Sequence, residues 1–483
     1  MTGHAHGALR CTDGCGVDTS GCHSCGDGVV EGPEECEEGM LERLTCEDLG
    51  YEQGSPYCGA SCQIAGCYTC GNGMCENSDG ESVFNCPADC GGWLDLTAGG
   101  AHTCAVTQSG NVWCWGSNAF GQLGRGAGRG TEGLESSDPA RVTGLSSAVA
   151  VSAGLNHTCA LRDDGTVYCW GSDLMCQLGL GGTTGRASGD TQLRAAPTRV
   201  PGLHGAIGVS AGGDHSCAVL LDGSVWCWGR NAMGQLGDAS GEERCQPARV
   251  VDLPAAVRVV AGRSTTCAET SGGALWCWGA NDVGQLGIGA RSGPQLRDGL
   301  AYSDRPVRVA VLSETQHVSL GVAHACALRI QDLAEHSVSE VWCWGLGGEG
   351  QLGDGSAHEP CAGLECSPSP VRTALSWQAS AVSAGGRHSC AMLYDGHAYC
   401  WGANEHGQLG AAGAAGCGAE ECATPVRVST LTSVRLLAAG DAHACAVTAD
   451  KTLWCWGSNE HGQLSGQGGD RSEPQVVFDS IVR

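Results

Sequence analysis

The sequence predicts an all-β protein: a seven-bladed β-propeller preceded by a disulfide-rich, loop-dominated region. Three observations predict it. A motif A-G-x-x-H-x-C-A, then [WY]-C-W-G-x-N-x-x-G-Q-L-G, then P-x-x-V, recurs in seven versions along the chain. Helix formers are scarce: 79 of 483 residues are Gly and only 16% are charged, whereas helices favour Ala, Leu and long charged side chains. The 33 Cys point to an oxidising, extracellular or cell-surface setting, because a reducing cytosol would leave most of them as free thiols.

Composition and charge exclude further classes. Hydrophobic residues at 42%, with 14 Trp, can fill a core, which argues against disorder. A net charge of −26 would repel a phosphate backbone, so no nucleic-acid partner is expected. No stretch approaches the ~20 apolar residues of a membrane-spanning helix. The opening MTGHAHGALRC has no apolar run and does not read as a signal peptide, so a mature or truncated form is expected.

Cysteine spacing divides the chain near Gly91 into an acidic Cys-rich region, 1–90, and the propeller, 91–483. Residues 1–90 hold 13 Cys, 16 acids and two Arg, Arg10 and Arg43. Too little apolar material lies between these cysteines for a core, so disulfides must supply the restraint. The order Cys11, Cys15, Cys22, Cys25 returns as Cys58, Cys62, Cys67, Cys70. One full unit takes Cys25, Cys36, Cys46, Cys58, Cys62 and Cys67, and a shorter module takes Cys70, Cys75, Cys86 and Cys90. The first unit is truncated, which leaves one of Cys11, Cys15 and Cys22 without a partner. Cys22-His-Ser-Cys25 and Cys67-Tyr-Thr-Cys70 fit this disulfide repeat better than a zinc quartet.

The segment Cys25-Gly-Asp-Gly-Val-Val-Glu31 through Cys36-Glu37-Glu38-Gly39-Met40 resembles the Cys-rich repeats of secreted and surface proteins of myxobacteria and similar bacteria. Their pattern is C-G-[DN]-G-x-x-E-x-G-E-x-C-D-D-G-N. Here Glu replaces the acidic Asp pair, and Met40 replaces the Asn. The oxygen-rich loops make Asp27, Glu31, Asp79 and Glu81 candidates for calcium. No complete ligand loop is present, and a solvated acidic stalk is the plainer expectation. No other cofactor is expected.

In the repeat array the motif glycines fall at Gly99, Gly154, Gly212, Gly262, Gly321, Gly385 and Gly440, at periods of 50 to 64 residues. Segments such as Ala148–Gly154 and Val257–Gly262 are short and β-branched with a Gly stop, and read as strands. Each unit centres on a hairpin. Cys104 stands opposite Cys114 across a three-residue turn whose third position is Gly110, and Gly165, Gly223, Gly273 and Gly396 recur there. A left-handed conformation at that position explains them. Lys451 occupies it in unit seven and should be mildly strained.

Residues directly opposite in an antiparallel pair come within disulfide reach. One cross-strand disulfide per blade is therefore expected: Cys104–Cys114, Cys159–Cys169, Cys217–Cys227, Cys267–Cys277, Cys326–Cys343, Cys390–Cys400 and Cys445–Cys455. Close spacing predicts local bridges for Cys361–Cys366 and Cys417–Cys422. The remaining Cys176 and Cys245, in the outer loops of adjacent units, are expected to join neighbouring blades. In Trp-Cys-Trp the Cys and the two Trp point to opposite faces. Large groups on both faces imply that each sheet is sandwiched by neighbours, as in a closed ring. The strand Gln475–Phe478 is expected to complete the blade containing Trp93–His102, removing a free edge.

Segments such as Gly229-Arg-Asn231-Ala-Met-Gly234-Gln235-Leu236-Gly237 and Gly402–Gly410 resemble the regulator of chromosome condensation repeat family, and the match runs over about four-fifths of the chain. The resemblance implies a seven-bladed propeller. Unit two departs from it with Cys176 in place of a Gly, and unit seven ends Gln463-Leu464-Ser465. The paired cysteines are an addition to the family pattern.

His102, His157, His215, His324, His388 and His443 recur at one position, with Thr265 aligned in unit four. Six symmetric histidines could suggest a metal ring. A position repeated in every blade is instead expected to be structural, each His bonding to backbone within or beside its own blade. The repeated Trp are likewise expected to be core rather than the clustered chromophore of a plant ultraviolet photoreceptor that uses this propeller. No nucleophile elbow or phosphate loop is evident, and no enzyme activity is expected.

The loops after Gly-Gln-Leu-Gly vary most: Arg125–Asp138, Leu180–Ala196, Asp238–Gln246, Ile288–Arg305, Asp354–Ser369 and Ala411–Thr424. They hold the same place in each blade and should emerge on one face, the usual place for recognition. The sequence therefore reads as a secreted or surface-attached bacterial binding protein whose loop face takes a protein or glycan. One rival is an enzyme inhibitor resembling propeller-type β-lactamase inhibitor proteins. That would need exposed aromatics on the face, where only Tyr302 and, just beyond a loop, Trp377 are candidates. Guanine-nucleotide exchange, the founding activity of the resembled family, fits poorly with an acidic, Cys-rich arm. A glycan-cleaving enzyme would need convergent carboxylates among Asp238, Glu242, Glu243, Asp298, Asp304, Asp354, Glu420 and Glu421.

Overall fold

The computed structural model describes residues 92–478 apart from 127–134, 182–192, 334–335, 359, 362, 414–419 and 467. Before residue 92 it describes the backbone of His6–Gly7, Arg10–Cys11, Val17–Asp18, Cys22–His23, Gln53–Cys58 and Ile64–Tyr68, which pair antiparallel as three small two-stranded sheets. Asp27, Glu31, Asp79 and Glu81 lie outside the described residues. The chain forms two compact units, Met1–Gly92 with Ser480–Arg483, and Trp93–Asp479.

The second unit is a seven-bladed β-propeller. In blade one the strands run from the centre outward as Trp93–Ala98, His102–Thr107, Val112–Ser117 and Glu135–Arg141. The other six blades repeat this order, with short extra strands Gln295–Arg297 in blade four and Pro360–Cys361 in blade five. No helix occurs among the described residues.

The hairpin register follows the cysteines. Cys104 pairs with Cys114, Cys159 with Cys169, Cys217 with Cys227 and Cys267 with Cys277. Cys326 pairs with Cys343, Cys390 with Cys400 and Cys445 with Cys455. All seven pairs are disulfide-bonded, with Cα atoms 4.0–4.2 Å apart. Turn glycines such as Gly110 adopt φ of 76°, and Lys451 is held at 72° without glycine's freedom.

Disulfide and tryptophan point to opposite sides of each sheet. The Cys104–Cys114 bridge packs with Leu123 and Val142 against Trp170 of blade two. Trp115 faces the other way, into the core shared with blade seven. The seven equivalent Trp, from Trp115 to Trp456, are fully buried. Burial of a large apolar side chain contributes about 1.5–3 kcal/mol. Stability is thus spread over seven interfaces rather than one central core.

The expectation for Gln475–Phe478 is overturned. The strand Arg471–Phe478 pairs with Leu453–Gly457 in blade seven, and blade one obtains its outer strand from its own unit. Each repeat closes its own blade. The ring is joined instead by packing and hydrogen bonds: Phe478 stacks among Trp93, Trp113 and Trp115, and Trp93 Nε1 donates to the Lys451 carbonyl at 3.1 Å.

Candidate functional site

Strand direction gives the ring two faces. The turns after the inner strands and the long loops between third and outer strands lie on one, the loop face. The tight hairpin tips and the blade-to-blade connections lie on the other, the hairpin face.

The repeated histidines are buried between blades. His102 Nε2 meets Thr158 Oγ1 at 2.9 Å, His157 meets Ser216 Oγ at 2.8 Å, and His215 meets Thr266 Oγ1 at 2.8 Å. His324 meets Ser389 at 2.8 Å, and His443 meets Thr103 at 2.9 Å across the join of blades seven and one. Each hydroxyl donates to a Gln main-chain carbonyl of the preceding blade, as Thr158 does to Gln122 at 2.9 Å. Trp170 Nε1 donates to the same Gln122 oxygen at 2.8 Å, and the pattern recurs around the ring. With its proton committed to the carbonyl, the hydroxyl must accept from the imidazole, which places the histidine proton on Nε2.

Burial lowers these imidazoles to about 3 in His102, His157, His215 and His388, and to about 4 in His324 and His443. They are neutral, and all but His388 couple neighbouring blades. The expected backbone partner is corrected to a hydroxyl of the following blade. A signal for it existed in the sequence, the Thr or Ser directly after His in four of the repeats and after the aligned Thr265 in a fifth. Among the described residues, no group of three or more His, Cys, Asp or Glu is placed to hold a metal ion.

The loop acids are brought to one face, but several are already engaged. Arg244 Nε donates to Asp238 at 2.8 Å, Gln295 Nε2 to Asp304 at 2.8 Å, and His358 pairs with Asp354 at 3.1 Å. Neighbouring blades are tied across this face by His406–Asp470 and His461–Glu135, each at 2.7 Å. The Cys176–Cys245 bridge links blades two and three with Cα atoms 4.6 Å apart, and Cys361–Cys366 closes a loop of blade five. Cys422 is disulfide-bonded, and Cys417 lies outside the described residues. Tyr302 is half-buried on the outer strand Leu300–Arg308. Trp377, 64% exposed, lies in the connection from blade five to blade six and so belongs to the hairpin face.

The family model for the RCC1-like domain matches residues 67–391. The chain belongs to that family. Models of the regulator of chromosome condensation (RCC1) repeat match 379–408 and 434–463, and also 395–447. The RCC1-like chain is 28% identical to the ultraviolet-B receptor UVR8 of Arabidopsis thaliana over 391 residues, 80% of this chain and 81% of the receptor. It is 30% identical to the human regulator of chromosome condensation over 384 residues, 79% of this chain and 76% of that protein. Among solved structures it resembles yeast RCC1 (Prp20) bound to Kap60, with TM-score 0.65, 21% identity and coverage of 77% and 85%. Human WBSCR16 gives TM-score 0.62 at 20% identity, with coverage of 77% and 94%. These structures share the fold. In this RCC1-like propeller the repeated Trp and His serve the blade interfaces, so individuality resides in the loops and the cysteines.

Proposed function

We propose that the protein is a binding protein of an oxidising, extracellular or bacterial cell-surface compartment, and that its loop face engages a protein partner. One observation carries the reading: the variable loops share one face of a ring whose blades are each stapled by a buried disulfide. A stapled scaffold holds loops in a fixed arrangement, which lowers the ordering cost of binding. Loop carboxylates such as Asp238, Asp304 and Asp354 are spent on structural partners, which favours recognition over hydrolysis. A structural neighbour favours a protein over a glycan: yeast Prp20p has binding properties to Gsp1p and histones. Scarce aromatics on the loop face weigh against the enzyme-inhibitor reading.

The test is capture from the native cell surface by the full-length protein. Wild type should retain a discrete protein that is lost when loops 238–246 and 354–369 are replaced by Gly-Ser linkers. Retention of polysaccharide alone would move the reading to a glycan. Catalysis of guanine-nucleotide release from a captured GTPase would overturn it.

A further inference from the structure

The channel on the ring axis opens toward the hairpin face. Every inner strand has a β-bulge between its first and third residues, as between Trp93 and Asp95 or Ala206 and Gly208. A bulge re-aims the side chain at the extra residue. In blades one to four that residue is Leu94, Val149, Ile207 or Val257, each 39–53% exposed. Ile207 and Val257 line the channel, and Leu94 and Val149 hold the same register position in the two preceding blades, so four adjacent blades carry an apolar arc at its hairpin-face end. In blade seven the position is Arg435.

One level deeper the wall changes character. Arg258 and His317 line a channel of about 510 Å³, within the roughly 300–1,000 Å³ typical of ligand sites. An Arg258 Nη donates to His317 Nε2 at 3.1 Å. That bond places the His317 proton on Nδ1, a buried N–H without an acceptor among the described residues. Glu269, 4% exposed, stands opposite Arg258 on the adjacent strand and supplies its counter-charge from behind the wall. Asp95 lies in blade one, where its oxygens accept from the Val151 and Leu96 amides at 2.9 Å. The far end is narrow, bounded by the motif glycines, and Arg263 and Asp441 meet there at 4.0 Å.

We propose that this channel captures the free C-terminus of a partner polypeptide whose last residues are apolar. An extended end can enter where a folded surface cannot. Its apolar side chains cover the arc formed by Leu94, Val149, Ile207 and Val257. Its terminal carboxylate takes the N–H groups of Arg258 and His317, and charge-assisted hydrogen bonds of this kind are among the strongest. Arg435 at the rim attracts the same charge. A free inorganic anion would leave the arc uncovered.

The test uses the full-length protein and a peptide pool randomised at its last four positions, prepared as free acids and as C-terminal amides. The retained pool should be free acids ending in Val, Ile, Leu or Met, and the corresponding amides should bind at least tenfold more weakly by fluorescence anisotropy. The double variant R258Q/E269Q removes the cation together with its buried counter-charge and should erase the acid preference. Ile207→Asp, on the exposed arc, should erase the apolar selection and keeps the test open if the double variant misfolds. Equal capture of acids and amides, capture of neither, or acid preference without apolar selection would each overturn the proposal.

Discussion

The ring of Phe478 lies 5.1 Å from that of Trp93, so the last strand of blade seven packs against the first strand of blade one without pairing with it. Closure of the propeller therefore depends on side chains at this join. Phe478→Ala should destabilise the protein by about 2–3 kcal/mol, somewhat below the usual cost at a fully buried site. Deleting residues 471–483 removes the whole outer strand as well and should lower the melting temperature far more. Equal melting curves for wild type and Phe478→Ala would show that the join does not limit stability.

His388 breaks the coupling pattern. Its Nε2 is buried without a partner among the described residues, because Ala444 holds the place taken in five other blades by Ser or Thr. Ala444→Ser should supply the missing acceptor and donate onward to the Gln408 carbonyl, as Ser216 donates to Gln177. The gain should be about 1 kcal/mol, the net worth of a typical hydrogen bond. Conversely, Ser216→Ala should cost about 1–3 kcal/mol by orphaning His157. Guanidinium midpoints at constant slope measure both.

The fold was legible because each blade repeats its instructions. Cysteine symmetry about the turn specified the hairpin register in all seven blades, including blade seven with Lys451 in place of the turn glycine and the longer hairpin from Cys326 to Cys343. Relations between blades were harder to read. A strand partner can be inferred from local symmetry, but the bond from His157 to Ser216 crosses 59 residues. The closing strand misled for a related reason: Pro474–Phe478 looks unattached only if blade one lacks an outer strand, and the polar segment Glu135–Arg141 supplies it. The channel site was hidden because Arg258 and His317 belong to no repeated motif.

Acid should weaken the fold. Seven imidazoles, including His317, are held at about 3 or 4 when folded, against 6.5 for the free group. Between those values the unfolded chain binds more protons, so stability falls as pH drops below about 6.5. Asp95 works in the opposite sense: burial raises it from 3.8 to about 6, and the folded state gains its proton in that window. The histidines outnumber it. Guanidinium midpoints should fall steadily from pH 7.5 to pH 5, and a flat profile would contradict neutral, buried couplers.

The Cys176–Cys245 bridge spans 69 residues, whereas six of the hairpin bridges span 10. Loop-closure entropy grows with span, giving about 4 kcal/mol for the long bridge and about 3 for a short one. Cys176 also occupies a motif glycine position at φ 62°. The pair C176A/C245A should therefore be less stable than C176G/C245A by roughly 1 kcal/mol, since glycine adopts this conformation without penalty. Equal midpoints for the two double variants would remove the backbone argument.

The boundary between blades four and five should open first. Thr265 and Ala325 replace the imidazole and hydroxyl that couple other pairs. Val260 stands where Ser152, Ser210 and Ser319 accept an amide of the next blade. Leu320 replaces the Ala found at that position in the other blades, and a Cβ on Gly262 would meet its Cβ at 2.8 Å. The wedge shows in the backbone: Arg263 N to Gly321 O is 3.5 Å, whereas Gly213 N to Gly262 O is 3.0 Å. Both repeated couplers are lost there and the Arg258–His317 bond stands in their place, and loss of both couplers together with the Leu320 wedge lowers the cost of local opening. Hydrogen exchange of the inner strand Thr315–Leu320 should be at least tenfold faster than that of Ala206–Ala211. In a double-mutant cycle, Thr265→His with Ala325→Ser should show a favourable coupling of about 1 kcal/mol and slow that exchange. Exchange rates equal in the two strands would show that Glu269 and Arg258 already compensate for the missing couplers.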